Sequence, residues 1–193
     1  MHETKQDRGN GRGSRVYPVD RAGFLRGKIR RLVRNPQKIL RPYIREGMTV
    51  LDFGCGPGFF TVEMARMVGE TGMVVACDVQ EGMLERLKDA VHGSEIEKRV
   101  LICKSTEREM GVSVKADFVL AFYVIHEIPD PEGWFRQIKS ILNLDGRVLV
   151  VEPPFHVSRS EFETLVTVAC RVGFALVDRP GIFLSKAALF ALS

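Results

Sequence analysis

Long apolar runs are absent from the 193-residue sequence. No run approaches the roughly 18 apolar residues of a membrane-spanning helix, which argues against an integral membrane protein of the helical type. The N-terminus is polar and Arg-rich, and it lacks the apolar stretch that a secretory signal contains. We therefore expect a cytoplasmic protein.

Cysteine is sparse, and none of the four cysteines belongs to a CxxC pair. Their spacing predicts neither a disulfide framework nor a zinc site, so we expect reduced thiols. Cys77 and Cys103 each end an apolar run, and unpaired cysteines commonly behave as small hydrophobic residues. Both are therefore predicted to be buried. The other two are Cys55 and Cys170.

Charge of neither sign dominates the whole chain, whose net charge is +4, but the two signs are unevenly distributed. Residues 1–45 contain 13 Lys/Arg and three Asp/Glu, whereas the rest contains 15 Lys/Arg and 21 Asp/Glu. A basic arm on a mildly acidic domain can bind an anionic partner such as a nucleic acid. The same residues can equally form a solvated helix face, and the sequence leaves both interpretations open.

The chain divides into three predicted parts. Residues 1–14 are Gly-rich and polar, which predicts a flexible tail. Residues 15–46 are expected to form a helical cap that contains a basic amphipathic helix at 19–34. Asn35-Pro36 ends that helix, and Pro36 suits the first turn of a short second helix. Residues 47–193 are predicted to form the main domain.

Strands and helices alternate from residue 47 onward, which predicts a mostly parallel sheet with helices on both faces. The last two strands are separated only by a short turn near Pro180-Gly181, so they should pair antiparallel. A turn at Asp145-Gly146 is predicted to open the fifth strand. The predicted strands are 48–53, 72–78, 99–105, 116–125, 145–153, 174–179 and 186–192. One predicted helix follows the first strand and ends near Met67, and the others span 81–91, 131–142 and 158–172. Ser158 and Glu161 are predicted to form a capping box at the start of the last helix.

A glycine-rich loop follows the first predicted strand. In an open α/β sheet, ligands bind outside the carboxyl ends of the strands, where this loop lies. Gly54, Gly56 and Gly58 carry no Cβ, so the backbone can turn tightly and a ligand can lie against it. The next helix adds backbone N–H groups at its start.

The spacing in this loop differs from that of a dinucleotide-binding loop. The dinucleotide pattern is G-x-G-x-x-G, whereas the order here is G-x-G-x-G with Phe59 in the place of the third glycine. Asp52 stands two residues before the first glycine. A carboxylate there would repel a pyrophosphate and would suit a ligand with an ammonium or sulfonium charge.

A second carboxylate, Asp78, ends the second predicted strand, 24 residues after Gly54. A carboxylate in this place can accept hydrogen bonds from both hydroxyls of a ribose. Asp78 could alternatively cap the following helix. Its combination with the glycine loop favours the ribose interpretation.

Three segments together resemble the class I S-adenosylmethionine-dependent methyltransferases. They are VLDFGCGPGFF, VVACDVQEGML and ADFVLAFYVIHEIPDPEGWFRQIKSILNLDGRVLVVEP, and the likeness covers about residues 36–193. It is greatest for the branch that includes the ubiquinone/menaquinone-biosynthesis enzymes and other small-molecule methyltransferases. The resemblance implies a Rossmann-like α/β three-layer sandwich whose seven-stranded, mostly parallel sheet has the order 3-2-1-4-5-7-6, with the last strand antiparallel.

The resemblance also implies S-adenosylmethionine as cofactor, S-adenosylhomocysteine as product, and a role for each motif residue. The glycine loop would contact the methionine part, Asp52 would help to hold its ammonium, and Asp78 would bind the ribose. Val79 and Met83 would pack on the adenine, and Ser105 or Thr106 would replace the aspartate that the family often places at the adenine edge. The remaining implied cofactor-binding residues are Cys55, Gly56, Gly58 and Phe59 of the loop and Ala121, Phe122 and Tyr123 beside the methionine part.

Candidate residues for the methyl acceptor follow the fourth and fifth strands. These strands should be neighbours, so His126, Glu127, Glu152 and His156 should meet at the carboxyl edge. His126 is the first candidate for a base or substrate ligand, His156 is the second, and Glu152 is a candidate loop anchor. Their spacing matches no known metal-ligand signature, so no metal is expected. Aromatic residues that could line an apolar pocket are Tyr17, Phe24, Tyr43, Tyr123 and Phe155.

These observations predict a methyltransferase for a small-molecule acceptor. One alternative is an RNA or protein methyltransferase that uses the basic N-terminal segment for docking. A nicotinamide-dependent oxidoreductase is a further alternative, against which the glycine spacing and Asp52 argue. A scaffold that binds the cofactor without catalysis is the last. The acceptor, the atom methylated and the oligomeric state have no signature in the sequence.

Overall fold

Seven strands form one sheet in a computed structural model of the chain, which describes residues 35–193. The order along the sheet is β3-β2-β1-β4-β5-β7-β6, which confirms the order that the resemblance implied. The four neighbouring pairs from β3 to β5 are parallel, whereas β7 pairs antiparallel with both β5 and β6. The strands are β1 (Thr49–Phe53), β2 (Met73–Asp78), β3 (Val100–Lys104), β4 (Ala116–Phe122), β5 (Leu142–Glu152), β6 (Phe174–Asp178) and β7 (Lys186–Leu192).

Five helices accompany the sheet within the described residues. They are α1 (Pro36–Leu40), α2 (Thr61–Met67), α3 (Glu81–Val91), α4 (Pro131–Ile141) and α5 (Arg159–Val172), with short 3₁₀ turns at Glu97–Arg99 and Ile125–Glu127. The predicted tail at 1–14 and the predicted basic helix at 19–34 lie outside the described residues. None of the helices within 35–193 is long and apolar enough to cross a membrane.

Helices cover both faces of the sheet, which confirms the three-layer architecture. Alternate residues of a strand point to opposite faces, so Leu51 and Phe53 pack on one side while Val50 packs on the other. The first side carries α4 and α5, through residues such as Phe135 and Phe162. The second side carries α1, α2 and α3, through residues that include Leu40, Met64 and Leu87. The central strands are therefore buried on both faces, as their nearly continuous apolar sequence predicts.

The predicted helix ends agree closely with the structure. Asn35 caps α1 by accepting a hydrogen bond from the Lys38 N–H, and Pro36 occupies the first turn. Ser158 and Glu161 form the predicted capping box at the start of α5. The hairpin of β6 and β7 is also confirmed.

The prediction of a turn at Asp145-Gly146 was wrong. α4 ends at Ile141, and β5 begins directly at Leu142 and continues through both residues. A register irregularity absorbs the extra length, because Ala116 pairs with Leu142 whereas Phe118 pairs with Arg147. The Asp117 carboxylate between them accepts hydrogen bonds from Asn143 and from the Thr49 backbone N–H, and so holds this segment beside the sheet.

All four cysteines are free thiols, as predicted, but their burial differs from the prediction at one position. Cys77 is buried in the middle of the sheet, whereas Cys103 is only half-buried. Cys103 lies on β3, which is an edge strand and has a neighbour on one side only. The apolar run around Cys103 therefore overstated its burial.

Candidate active site at the carboxyl edge of the sheet

The glycine loop is fastened to the end of β2. The backbone N–H groups of Gly54 and Cys55 both donate to the Cys77 carbonyl, at 2.8 and 3.0 Å. Gly54, Gly56 and Gly58 have φ angles of +73°, +53° and +90°, a region that side chains disfavour. The loop therefore needs glycine for its backbone course as well as for its bare surface.

The three glycines differ in what lies beside them. A Cβ on Gly54 would come within 2.6 Å of the Val124 side chain, and one on Gly58 within 2.5 Å of Leu87. A Cβ on Gly56 would meet nothing within 4 Å. Packing therefore excludes side chains at Gly54 and Gly58, whereas Gly56 borders open space in which a ligand can lie.

The carboxylate of Asp78 is 8% exposed and lies against this loop. One of its oxygens accepts a hydrogen bond from the Gly56 N–H at 2.9 Å, and the other accepts one from the Gln80 N–H at 2.9 Å. The residue that caps α3 is Gln80, so Asp78 is not the N-cap of that helix. Each carboxylate oxygen can accept more than one hydrogen bond, so both can also bind a hydroxyl of a ligand.

Asp52 lies beneath the loop rather than on its surface. Its side chain is 2% exposed and accepts a hydrogen bond from the Thr61 hydroxyl at 2.6 Å. Burial raises the pKa of Asp52 to about 7, and the nearby charge of Asp78 acts in the same direction. The group is therefore close to half-protonated at neutral pH, and a cation bound nearby would favour its ionised form.

Ser105 and Thr106, the two candidates for the adenine edge, have different surroundings. The Ser105 N–H donates to the Asp78 carbonyl at 3.1 Å, and the residue is buried. Within residues 35–193 its hydroxyl has no hydrogen-bond partner. The Thr106 hydroxyl is exposed and already accepts from the backbone N–H of Arg108 and Glu109. Ser105 is thus the one with unused hydrogen-bonding capacity beside Asp78.

Two further groups flank the loop. Met83 is buried at the start of α3, and Val79 is half-buried just before it. At the end of β4, Ala121 is fully buried, and Tyr123 has a φ of +61°, which is rare for a residue with a side chain. The Tyr123 N–H donates to the Val151 carbonyl at 2.7 Å, and its hydroxyl contacts that of Ser185 at 2.6 Å. Neighbouring ring centroids in the series Phe59, Phe60, Phe122 and Tyr123 are 4.5–5.0 Å apart.

His126 and Glu152 meet at the carboxyl edge, as the predicted adjacency of β4 and β5 requires. The distance from His126 Nδ1 to Glu152 Oε2 is 2.5 Å, and the His126 backbone N–H donates to Glu152 Oε1 at 3.3 Å. Glu152 is 1% exposed. It anchors the loop, as the sequence suggested, and it also holds the imidazole ring itself.

Glu127 and His156 complete the predicted group. Glu127 Oε1 lies 4.0 Å from His126 Nε2. Burial raises the pKa of Glu127; the charge of His126 lowers it, and those of Asp78 and Glu152 raise it. His156 is exposed, and its ring centroid is 6.0 Å from that of His126. In the described part of the chain, no group of His, Cys, Asp and Glu is arranged to hold a metal ion.

The aromatic residues suggested for an acceptor pocket do not form one cluster. Tyr43 stacks on Phe118, with centroids 5.4 Å apart, and belongs to the core under the sheet. Phe155 is 89% exposed, in the loop that follows β5. Tyr17 and Phe24 lie outside the described residues. Tyr123 is the member of the set that borders the site.

Several residues of this edge were not found by sequence reasoning. They are Thr61, which donates a hydrogen bond to Asp52; Val124, which packs on Gly54; and Ser185, whose hydroxyl is hydrogen-bonded to that of Tyr123. Thr61 is the first residue of the helix that follows the glycine loop, so its position in the sequence could have indicated that it lies near Asp52. Ser185 lies 62 residues from Tyr123, and no local pattern indicates that contact.

The comparisons with known proteins agree with this geometry. A family described as a methyltransferase domain matches residues 44–172. The demethylmenaquinone methyltransferase of Lactobacillus johnsonii is 24% identical over 110 residues, which cover 56% of this chain and 45% of that protein. The ubiquinone/menaquinone biosynthesis C-methyltransferase UbiE of Vibrio vulnificus is 28% identical over 138 residues, which cover 71% of this chain and 52% of that protein. The chain thus spans about half the length of these curated relatives.

Among solved structures, an S-adenosylmethionine-dependent methyltransferase from Aquifex aeolicus superposes with a TM-score of 0.81. It is 24% identical and covers 92% of this chain and 100% of its own, so this likeness concerns the fold. The fold is the Rossmann-like fold of class I methyltransferases, and the resemblance noted in the sequence is confirmed. The chain belongs to the methyltransferase-domain family.

Proposed function

We propose that this chain is an S-adenosylmethionine-dependent methyltransferase whose acceptor is a small molecule. The observation that carries the proposal is the pairing of Gly56, whose Cβ side is open, with the Asp78 carboxylate at 2.9 Å. A bare backbone surface and a fixed carboxylate lie side by side at the carboxyl edge, where α/β folds bind nucleosides.

The described residues fit this cofactor on two independent counts. The open space beside Gly56 can receive an amino-acid moiety, which a Cβ would obstruct. The buried Ser105 hydroxyl lacks a partner, and a buried hydroxyl without one costs free energy that a ligand's polar group could recover. Gly56 and Ser105 both donate a backbone hydrogen bond to Asp78, so both features lie next to the residue proposed to bind the ribose.

The residues would divide the cofactor among them. Asp78 would bind the ribose hydroxyls, Ser105 the adenine edge, and Val79 with Met83 the adenine face. The loop of Gly54, Cys55, Gly56, Gly58 and Phe59 would hold the methionine part, bordered by Ala121, Phe122 and Tyr123. Asp52, being buried, would act on the ammonium through its charge. When bound, the cofactor supplies a methyl group already activated on a sulfonium, so the chain mainly has to align the acceptor and exclude water.

A small-molecule acceptor is supported by the relatives and by the edge itself. The two curated relatives carry the names of enzymes for demethylmenaquinone and for ubiquinone/menaquinone biosynthesis. The described edge presents aromatic rings, with Phe122 and Tyr123 beside the loop. No observation in residues 35–193 favours an RNA or protein acceptor or a nicotinamide cofactor, and the methyltransferase family membership argues against the latter.

The first test is calorimetric titration with S-adenosylhomocysteine and, separately, with NADH. We expect micromolar binding of S-adenosylhomocysteine and none of NADH. In Asp78→Asn, which keeps the side-chain shape, binding should weaken by about 1–3 kcal/mol through loss of charged hydrogen bonds. That corresponds to roughly 5- to 150-fold in Kd.

Asp89→Asn is the matched control, because Asp89 is exposed near the C-terminal end of α3, whereas Asp78 precedes the start of that helix. It should bind like the wild type. Preference for NADH, absence of S-adenosylhomocysteine binding, or equal losses in both variants would contradict the proposal. If S-adenosylhomocysteine binds as expected, turnover of a small quinol, measured as S-adenosylhomocysteine release, would test the class of acceptor.

A further inference from the structure

Within residues 35–193, the two non-glycine residues with a left-handed backbone lie at the same edge of the sheet. Tyr123 follows β4 with a φ of +61°, and Leu184 precedes β7 with a φ of +49°. Such angles cost free energy for any residue with a Cβ, and they persist only where the surroundings hold them. Strained backbone of this kind is concentrated at functional sites. The contacts that hold these two residues therefore bear on the proposed site.

One hydrogen bond joins the two strained segments. The hydroxyls of Tyr123 and Ser185 are 2.6 Å apart, and Ser185 directly follows Leu184. The Ser185 N–H donates to the Ile182 carbonyl at 2.9 Å, across a β-turn in which Leu184 occupies the third position. A positive φ at that position usually requires glycine. The strained turn therefore sets the place of the Ser185 hydroxyl.

A second contact of Ser185 determines which hydroxyl is the donor. The Ser185 hydroxyl donates to the Phe183 carbonyl at 3.1 Å. A serine hydroxyl has one proton and accepts through its oxygen, so the Tyr123 hydroxyl donates in the contact between the two side chains. The phenol is thus held at Ser185, and a displacement of the ring would break this bond.

Ring contacts connect Tyr123 to the glycine loop. The centroid of Phe122 is 4.5 Å from that of Tyr123 and 4.5 Å from that of Phe60, which lies at the end of the loop. The residue after Tyr123 is Val124, whose side chain fills the space beside Gly54. Tyr123 therefore lies between the glycine loop and the turn that precedes β7.

Strand β5 supports both partners of this hydrogen bond. The Tyr123 N–H donates to the Val151 carbonyl of β5 at 2.7 Å. Lys186, which follows Ser185 and begins β7, donates from its ammonium to the Pro154 carbonyl at 3.4 Å, just after β5 ends. Because β7 also pairs with β5, the turn and the tyrosine are fixed relative to the same strand.

We infer that Ser185 is a positioning residue for methyl transfer, because its hydroxyl holds the Tyr123 ring as a wall of the methyl-donor subsite. The inference rests on the proposed function, since that subsite is where S-adenosylmethionine is proposed to bind. In-line transfer requires close alignment of the reacting atoms, and a wall that moves would lose it. The turn before the last strand thus has a part in the site, although it contributes no motif residue.

The test is calorimetric titration of Ser185→Ala, Tyr123→Phe and the double variant with S-adenosylhomocysteine. Each single variant should lower the affinity about fivefold, the factor that corresponds to one net hydrogen bond. The double variant should bind no more weakly than either single variant, because both substitutions remove the same contact. Ser185→Thr keeps the hydroxyl at a position outside the left-handed region, so it should bind like the wild type.

Tyrosine NMR supplies a readout that a general loss of stability would not reproduce. The chain has three tyrosines, so carbon-13 labelling at Cζ gives three signals, and Tyr123→Phe identifies the signal of Tyr123. That signal should shift when S-adenosylhomocysteine is added to the wild type. It should also move in ligand-free Ser185→Ala, because the phenol no longer donates to serine.

Ser140→Ala is the matched control, because Ser140 is exposed on α4 and its hydroxyl also donates to a backbone carbonyl, that of Gln137. It should keep wild-type affinity, and urea denaturation should show that every variant is folded. The inference is overturned if Ser185→Ala binds S-adenosylhomocysteine like the wild type, if the two single losses add in the double variant, or if Ser185→Thr binds as weakly as Ser185→Ala. A Tyr123 signal that does not respond to the ligand would overturn it as well. Failure of the wild type to bind S-adenosylhomocysteine would instead refute the proposed function.

Discussion

The N–H of Gly56 donates to the carboxylate of Asp78 across 2.9 Å, and this bond joins two segments that are 22 residues apart in the chain. It fixes the middle of the glycine loop relative to the end of β2. The same carboxylate is held from its other side by the Gln80 N–H. The proposed ribose and methionine subsites therefore have a defined spacing before any ligand arrives, which lowers the entropic cost of binding.

Gly56→Ala should weaken cofactor binding at a modest cost in stability. The new methyl group would meet no protein atom within 4 Å and would occupy the ligand's space. The φ of +53° adds a strain of about 1–2 kcal/mol for a residue with a Cβ. We expect calorimetry to show a loss of at least tenfold in S-adenosylhomocysteine affinity. Urea denaturation should show a decrease in the free energy of unfolding that corresponds to this strain.

Gly93→Ala is the control for this variant, because Gly93 has a φ of +67° and equally open surroundings, but follows α3 away from the loop. It should lose similar stability and keep its affinity. If both variants bind S-adenosylhomocysteine normally, the open side of Gly56 is not where the ligand lies.

The affinity for S-adenosylhomocysteine should rise with pH between about 5.5 and 7. The apo protein holds the pKa of Asp52 at about 7, mainly by burial, and a bound ammonium would lower it by favouring the charged form. Binding then releases a proton, so affinity increases with pH by at most about tenfold per unit until Asp52 is ionised. The α-ammonium of the ligand remains protonated in this window. Calorimetry in buffers of different ionisation enthalpy measures both affinity and proton release.

Asp52→Asn keeps an acceptor for the Thr61 hydroxyl and should make the affinity independent of pH in this range. Stability of the free protein should change in the opposite direction. The folded pKa is raised above the ordinary value of 3.8, so the folded state holds its proton longer, and stability decreases as pH rises from about 4 to about 7. An affinity that falls with pH in the wild type would place Asp52 outside the ammonium's reach.

Ser105→Ala should weaken S-adenosylhomocysteine binding by about 1 kcal/mol, the usual net value of one hydrogen bond. The stability of the free protein should stay the same or increase, because the buried hydroxyl has no partner within the described residues. Binding of the analogue that lacks the adenine amino group should be unaffected by the substitution. Calorimetry with the two ligands separates this contact from a general loosening of the site.

Thr106→Ala tests the alternative assignment. It removes an exposed hydroxyl that accepts two backbone hydrogen bonds, so stability should fall slightly while affinity is unchanged. The reverse pattern, with Thr106→Ala weakening binding and Ser105→Ala not doing so, would move the adenine edge to Thr106.

The sequence predicted the sheet and most of the site because their signals are local. Gly54, Gly56, Gly58 and Asp78 form a recognisable pattern at fixed spacing, and the resemblance to a known family supplied the strand order. Short apolar runs then determined which elements were strands. Five-residue strands such as β1 were found in this way because glycine bounds their ends.

What the sequence missed depends on contacts between distant residues. The protonation of Asp52 follows from its burial under the loop, which a motif does not show. The contact of Tyr123 with Ser185 joins β4 to the loop before β7. Asp145-Gly146 was predicted to be a turn from its residue types alone. The segment is a strand instead, and it is supported by the hydrogen bond from Asn143 to the Asp117 carboxylate, 26 residues away, which the local sequence does not show. Residue types at a turn indicate a turn only when no tertiary contact competes.

The position of β7 has a consequence for synthesis on the ribosome. β6 is made before β7, yet β7 separates it from β5 in the sheet. Until residues 186–192 emerge, the backbone of β5 from Val148 to Glu152 has a neighbour on one side only, and β6 has none. The nascent chain therefore exposes an open sheet edge beside Glu152, and this edge can attract other strands. The sheet around the carboxyl end of β5 becomes complete only when the last strand fills the gap.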